Sequence, residues 1–216
     1  MPSLPEDAFR RYDETPDEEF YRAPRFVTHI DDRAIAAVTQ LYRELFPPGA
    51  EILDLMSSWV SHLPPEIEYE RVVGLGMNED ELRRNPRLDA YIVQNLNRLP
   101  TLPFADREFD GVGICVSIDY LTHPVEVLRE VGRVLRGGSP TVVTFSNRCF
   151  PTKAVAVWHQ LDDRGHMRLV EDYFREAGNW GDIRSLDRSP RRIFSDPLYA
   201  VIGTSLGPVV RAAPRP

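Results

Sequence analysis

The segment Arg25-Phe-Val-Thr-His-Ile-Asp31 sets His29 close to an acid, and a histidine beside a carboxylate is the pairing that a general base uses. The same segment also reads as a plain helix start, with Asp31 or Asp32 as the cap and His29 an ordinary neighbour. A second candidate is Glu51-Ile-Leu-Asp-Leu-Met-Ser-Ser-Trp-Val-Ser-His-Leu63. Its apolar run Ile52-Leu53-Asp54-Leu55 reads as a buried strand, followed by Ser57 and Ser58 and a brief amphipathic piece stopped by Pro64-Pro65. A strand, a tight turn and a helix N-terminus would direct free N–H groups at an anion. Such turns normally carry glycines so that a ligand can approach the backbone, and none occurs between Glu51 and Arg71. Tyr21, His123 and Asn147 complete the polar candidates, because they fall in the amino-terminal segment or just after strands, where open α/β sheets place ligands. Each has a plainer reading: a packing aromatic, a helix start before Pro124, a turn residue. Trp59 has the ring to stack on a base, or to fill a core. His62, His159 and His166 have no spacing with cysteines or acids that suits a metal.

Composition bounds the function classes. A chain of 216 residues, 42% apolar, can bury a full core as one domain with decorations. Cys115 and Cys149 read as free thiols. The net charge of −7 argues against non-specific nucleic-acid binding, which needs a basic face. No apolar run approaches the roughly 18 residues of a membrane span, and the amino terminus lacks the pattern of a secretory signal. The expectation is a soluble, cytoplasmic protein with no membrane or nucleic-acid partner. Lys153 is the single lysine in the chain.

The elements that must position these residues follow from periodicity. Residues 1–20 carry seven acids and three prolines, which predicts a solvated or loosely docked arm; the functional alternative is a lid anchored by Phe20 and Tyr21. Ile35, Val38, Leu41, Tyr42 and Leu45 have helical spacing, and Pro47-Pro48 ends that helix. The expected organisation is an arm and cover helix over residues 1–48, an α/β domain over 49–206 and a flexible tail over 207–216. Strands are expected at Ile52–Leu55, Tyr69–Leu75, Ala90–Gln94, Phe109–Ser117 and Thr141–Ser146. Helices are expected after Asn78 and over Val125–Leu135, the latter closed by Gly137-Gly138. Strands alternating with helices predict a parallel, doubly wound sheet. Further on, helices are expected from Pro151 to Leu161 and over Met167–Ala177, then an antiparallel edge hairpin from Ile183–Leu186 and Leu198–Ile202.

Leu102-Pro-Phe104, then Phe109-Asp110 and a strand, then Leu128-Arg-Glu-Val-Gly-Arg-Val-Leu135 before Gly137-Gly138, then Thr144-Phe-Ser-Asn147 form an ordered string. This string resembles the class I methyltransferases that act on small molecules, and more narrowly their type-11 branch. It also resembles a sub-branch in which Leu-Asp-Leu-Met-Ser-Ser-Trp replaces the glycine motif. The resemblance spans roughly residues 50–205. It implies a mostly parallel, seven-stranded, Rossmann-like sheet with an antiparallel terminal hairpin, S-adenosylmethionine as cofactor and S-adenosylhomocysteine as product. It further implies that Asp54, Met56, Ser57, Ser58, Gly76, Met77, Asn95, Leu96, Asn97 and Val116 surround the cofactor. Tyr21, His29, His123 and Asn147 are left to meet a small-molecule acceptor.

Three departures from the family pattern stand out. Side chains occupy the loop after the first strand, although Ser57 and Ser58 offer hydroxyls there. The family's ribose-binding acid corresponds to Gly76, which has no side chain. The acid that meets the adenine amine corresponds to Asn95 or Asn97, whose amides can also accept a hydrogen bond. Methyl transfer is the first expectation, and a methyltransferase-like binding or scaffold protein is the alternative. A dinucleotide-using dehydrogenase ranks last, because its glycine fingerprint is missing too.

Overall fold

The computed structural model describes residues 4–5, 7–191 and 194–208. In chain order it runs α1 (Asp17–Phe20), α2 (Asp32–Leu45), β1 (Glu51–Ser57), β2 (Arg71–Gly76), α3 (Glu79–Arg84), β3 (Ala90–Val93) and β4 (Gly111–Cys115). A 3-10 turn (Ile118–Tyr120) leads to α4 (Pro124–Val134), β5 (Pro140–Phe145), α5 (Ala156–His159), α6 (Asp163–Ala177), β6 (Trp180–Asp187) and β7 (Tyr199–Ser205). The seven strands form one sheet in the order β3-β2-β1-β4-β5-β7-β6. The first five are parallel, and β7 runs antiparallel to both β5 and β6. The sheet and its terminal hairpin are those expected from the pattern. The expected tail lies outside the described residues from 209 onward.

Each face of the sheet has its own core. On one face α2 packs Val38, Leu41 and Tyr42 against Ile52, Val142 and Ile202. β4 makes this approach possible by alternation, since Gly111 and Gly113 point at the helix while Val112 and Ile114 point the other way. A Cβ on Gly111 would sit 2.7 Å from the Phe46 ring, and one on Gly113 would sit 2.8 Å from the Tyr42 hydroxyl. The opposite face carries the larger core, where Val127, Leu128 and Val131 of α4 and Val170, Tyr173 and Phe174 of α6 cover the strands.

Two local expectations fail for identifiable reasons. No helix follows β1, and residues 58–70 run extended or in turns. Asp54 is the cause: its Oδ2 accepts hydrogen bonds from Ser57 Oγ at 2.5 Å and Ser61 Oγ at 2.7 Å, which wraps the segment around one buried carboxylate. The anion-facing helix N-terminus expected there does not exist. The helix expected from Pro151 shrinks to the single turn α5, because Val155 and Val157 donate backbone hydrogen bonds to Asp119 and Ala8 instead. α6, by contrast, starts earlier than its apolar pattern suggests, since Asp162 caps it through Gly165 N.

The acidic arm is docked rather than solvated. Ala156 N donates to Arg10 O at 2.7 Å and Asp13 N donates to Thr152 O at 2.8 Å. Asp17, 5% exposed, receives Arg11 at 2.7 Å, Lys153 at 3.4 Å and the Asn97 amide at 2.9 Å. Acids that composition assigns to solvent are here paired with two cations and an amide.

Beneath the arm, Asp119 is buried and its Oδ2 has no hydrogen-bond partner among the described residues. Burial raises its carboxyl from 3.8 to about 8. The folded form therefore holds a proton that the unfolded chain releases near pH 4, so this stabilisation is complete below that pH and fades as pH rises through 8. The wild type should lose about 2 kcal/mol more than the Asp119→Asn variant between pH 6 and pH 8. Urea unfolding of both chains at the two pH values measures the difference. Equal losses would show that Asp119 ionises in the folded protein as freely as in water.

Candidate active site

One cavity, part of it open to solvent, lies at the carboxyl ends of β1, β2, β3 and β4. β1 contributes Met56, Ser57 and then Ser58; β2 contributes Leu75, Gly76 and then Met77. The turn after β3 contributes Asn95, Leu96 and Asn97, and β4 with its extension contributes Cys115, Val116 and Ser117. The arm forms the remaining wall through Asp17, Tyr21, Arg25 and His29.

The loop after β1 turns without glycine by straining other residues. Met56 adopts φ 59° and makes an irregular register step, so that Ser57 pairs with Gly76. Val116, at the end of β4, has φ 45°. A branched residue in the left-handed region is an outlier that only a well-determined surrounding holds in place, and such strain concentrates at functional sites. The absence of a side chain at Gly76 is equally forced. A Cβ there would lie 2.1 Å from the Ser57 carbonyl oxygen, so no acid can stand at that position while the strand ends remain this close.

The two asparagines expected at the cofactor reach the cavity wall, yet their amides hold the arm. Asn95 Nδ2 donates to Glu18 at 3.0 Å, and Asn97 Nδ2 donates to Asp17 at 2.9 Å and to Tyr120 O at 3.0 Å. Asn78 Nδ2 donates to the Tyr21 and Arg22 carbonyls, and Arg25 N donates to Glu81 at 2.6 Å. Arm and sheet therefore build the cavity together.

Its charges are unevenly matched. Arg25 lies over the Phe20 ring at 4.6 Å and the Phe150 ring at 5.4 Å, and among the described residues its guanidinium donates to the Ala23 and Phe20 backbone carbonyls. His29 is exposed along one side, yet partial desolvation by its neighbours, reinforced by Arg25 and opposed by Glu81, lowers its pKa below the ordinary imidazole value. Burial raises both the Tyr21 and Tyr120 hydroxyls, so neither ionises near neutrality. The Cys115 thiol is pushed up to about 12, also by burial, and is not a nucleophile there. Ser117 Oγ is buried on the cavity wall with no hydrogen-bond partner among the described residues.

Of the sequence candidates, Tyr21 and His29 line the cavity. His123 and Asn147 do not; both are exposed, at the N-cap of α4 and after β5. Asp54 sits beneath the loop, engaged with its serines, and Trp59 donates to Val27 O away from the cavity. Asp17, Arg25, Glu81, Tyr120 and Phe150 were not anticipated. Arg25 and Glu81 carried a signal, since one opens the His29 segment and the other falls in the first turn of a capped helix. No group of three or more metal-ligating side chains occurs among the described residues, and no helix there is long and apolar enough to cross a membrane.

Residues 58–143 match the family model described as a methyltransferase domain. A putative methyltransferase of Haloferax volcanii, solved with the activator Trm112, is 16% identical with a TM-score of 0.59, over 81% of this chain and 91% of that one. Phosphoethanolamine N-methyltransferase 2 of Haemonchus contortus, solved with phosphomonomethylethanolamine and S-adenosylhomocysteine, is 12% identical with a TM-score of 0.57, over 82% of this chain and 52% of that one. The (4+2)-cyclase SpnF is 15% identical with a TM-score of 0.57, over 80% of each chain. No curated protein sequence gives a significant match. The matched segment and the sheet order show a methyltransferase-type fold, similar to that of the class I S-adenosylmethionine-dependent methyltransferases.

Proposed function

We propose that this protein transfers a methyl group from S-adenosylmethionine to a small-molecule acceptor held between the sheet edge and the amino-terminal arm. The observation that carries this reading is the position of the cavity, which gathers the residues following four parallel strands under a single cover. The residues present suit the cofactor. Leu75, Leu96 and Leu121 offer an apolar slot for a base, Ser57 and Ser117 offer hydroxyls, and Arg25, which pairs with no carboxylate among the described residues, can meet the amino-acid carboxylate. A chain of net charge −7 also favours a small molecule over a nucleic acid.

When bound, the cofactor supplies a methyl group on a sulfonium, which passes to a nucleophile by in-line displacement. The protein's own part is positioning and exclusion of water, which together account for much of the rate in such reactions. Tyr21, Tyr120 and Phe150 wall the acceptor side, and the arm covers part of it. His29, whose pKa is lowered, stands edge-on to Phe150 at 5.1 Å and is the base on this wall for the proton that an acceptor hydroxyl or amine loses.

Calorimetric titration with S-adenosylmethionine and S-adenosylhomocysteine tests the reading. The expected result is micromolar binding, about −8 kcal/mol. No heat and no thermal shift at millimolar ligand would instead support a binding or scaffold module, a reading favoured by the engagement of Asn95 and Asn97 with the arm.

A further inference from the structure

The cofactor reading leaves the ribose without an acid, because Gly76 has no side chain and no room for one. Two carboxylates line the cavity, Asp17 and Glu81. Asp17 is already neutralised: Arg11 and Lys153 pair with one of its oxygens and the Asn97 amide donates to the other. Glu81 differs in every respect. It has no cationic partner among the ion pairs of the described residues, and it enters the cavity from α3, the helix that begins immediately after β2 and Gly76. Two donors fix its side chain, Arg25 N on Oε1 at 2.6 Å and Ser58 Oγ on Oε2 at 2.6 Å. A carboxylate has about four lone-pair sites, so each oxygen retains capacity for one more donor.

We propose that Glu81 is the residue that binds the vicinal hydroxyls of the cofactor's ribose, in place of the acid that the end of β2 cannot carry. This rests on the cofactor reading above. A vicinal diol presents two donors side by side and a carboxylate presents two acceptors side by side, so one group satisfies both hydroxyls. The arm and the β1 loop hold the carboxylate in place, through Arg25 N and Ser58 Oγ, before ligand arrives. The same cavity that lost one acid by close packing of strand ends thus regains the function from the next turn of chain.

The test compares S-adenosylhomocysteine with its 2′-deoxy and 3′-deoxy analogues by calorimetry, on the wild type and on Glu81→Gln. Hydrogen bonds to a charged group correspond to about a 10- to 100-fold preference of the wild type for the intact diol. In Glu81→Gln, which keeps the shape and a neutral acceptor, that preference should shrink to about threefold or less. Full discrimination retained in the variant overturns the proposal, as does a wild type that binds all three ligands equally, a result that needs no variant to fold. Failure of the wild type to bind S-adenosylhomocysteine at all removes the cofactor reading and this inference with it.

Discussion

Lys153→Ala should destabilise the protein by about 3 kcal/mol, the scale of removing one partner from a buried ionic network. Lys153 is 0% exposed although it is the only lysine in the chain. Its Nζ donates to Thr15 O at 2.6 Å, lies 3.4 Å from Asp17 and 3.6 Å from Asp13, and stands 5.2 Å from the centre of the Phe20 ring. Truncation leaves the Thr15 carbonyl and part of the Asp17 charge facing a dry gap. Arg11 still pairs with Asp17, which keeps the loss below that of a lone buried charge. Lys153→Met restores most of the volume but none of the hydrogen bonds, so it should recover little. Urea unfolding at pH 7 measures both variants, and a shift of the midpoint without a change in slope marks a stability effect. A loss below about 0.5 kcal/mol, the range of ordinary surface changes, would mean that the arm is not held through this side chain.

Deletion of residues 1–29 should weaken S-adenosylhomocysteine binding at least tenfold, about 1.4 kcal/mol, while the remaining chain still unfolds cooperatively. The arm supplies one wall of the cavity, including Tyr21, Arg25 and His29, and without it the cavity opens to water. The sheet and its two cores are built almost wholly from residues beyond the deletion, with Ala8 the main buried exception. Deletion also lets water reach Lys153, so the charge is hydrated rather than stranded. Calorimetry gives the affinity and circular dichroism the fold. Unchanged affinity in a folded deletion would show that the arm packs beside the site without closing it.

The sheet was legible in the sequence because its strands and long helices are written in local periodicity. Asp31, Asn78 and Gly178 punctuate helices as their chemistry requires, and the β4 run alternates small and large residues because α2 presses on one face. The candidate site was legible where it follows strand ends, at Met56, Ser57, Ser58, Gly76, Asn95 and Val116. It was not legible where contacts cross large sequence separations. An arm of seven acids reads as solvated until Arg11 and Lys153 are seen beside Asp17, and Lys153 lies over a hundred residues away. Likewise a missing glycine motif reads as a lost site. Only the tertiary structure shows Met56 adopting the strained backbone itself, with Asp54 gathering the serines that hold the loop. By itself the sequence determined the order of elements and the edge at which a ligand would sit. Packing between distant segments decided how the arm covers that edge and which cavity carboxylate, among the described residues, has no cation beside it, because those contacts depend on distances that local pattern does not contain.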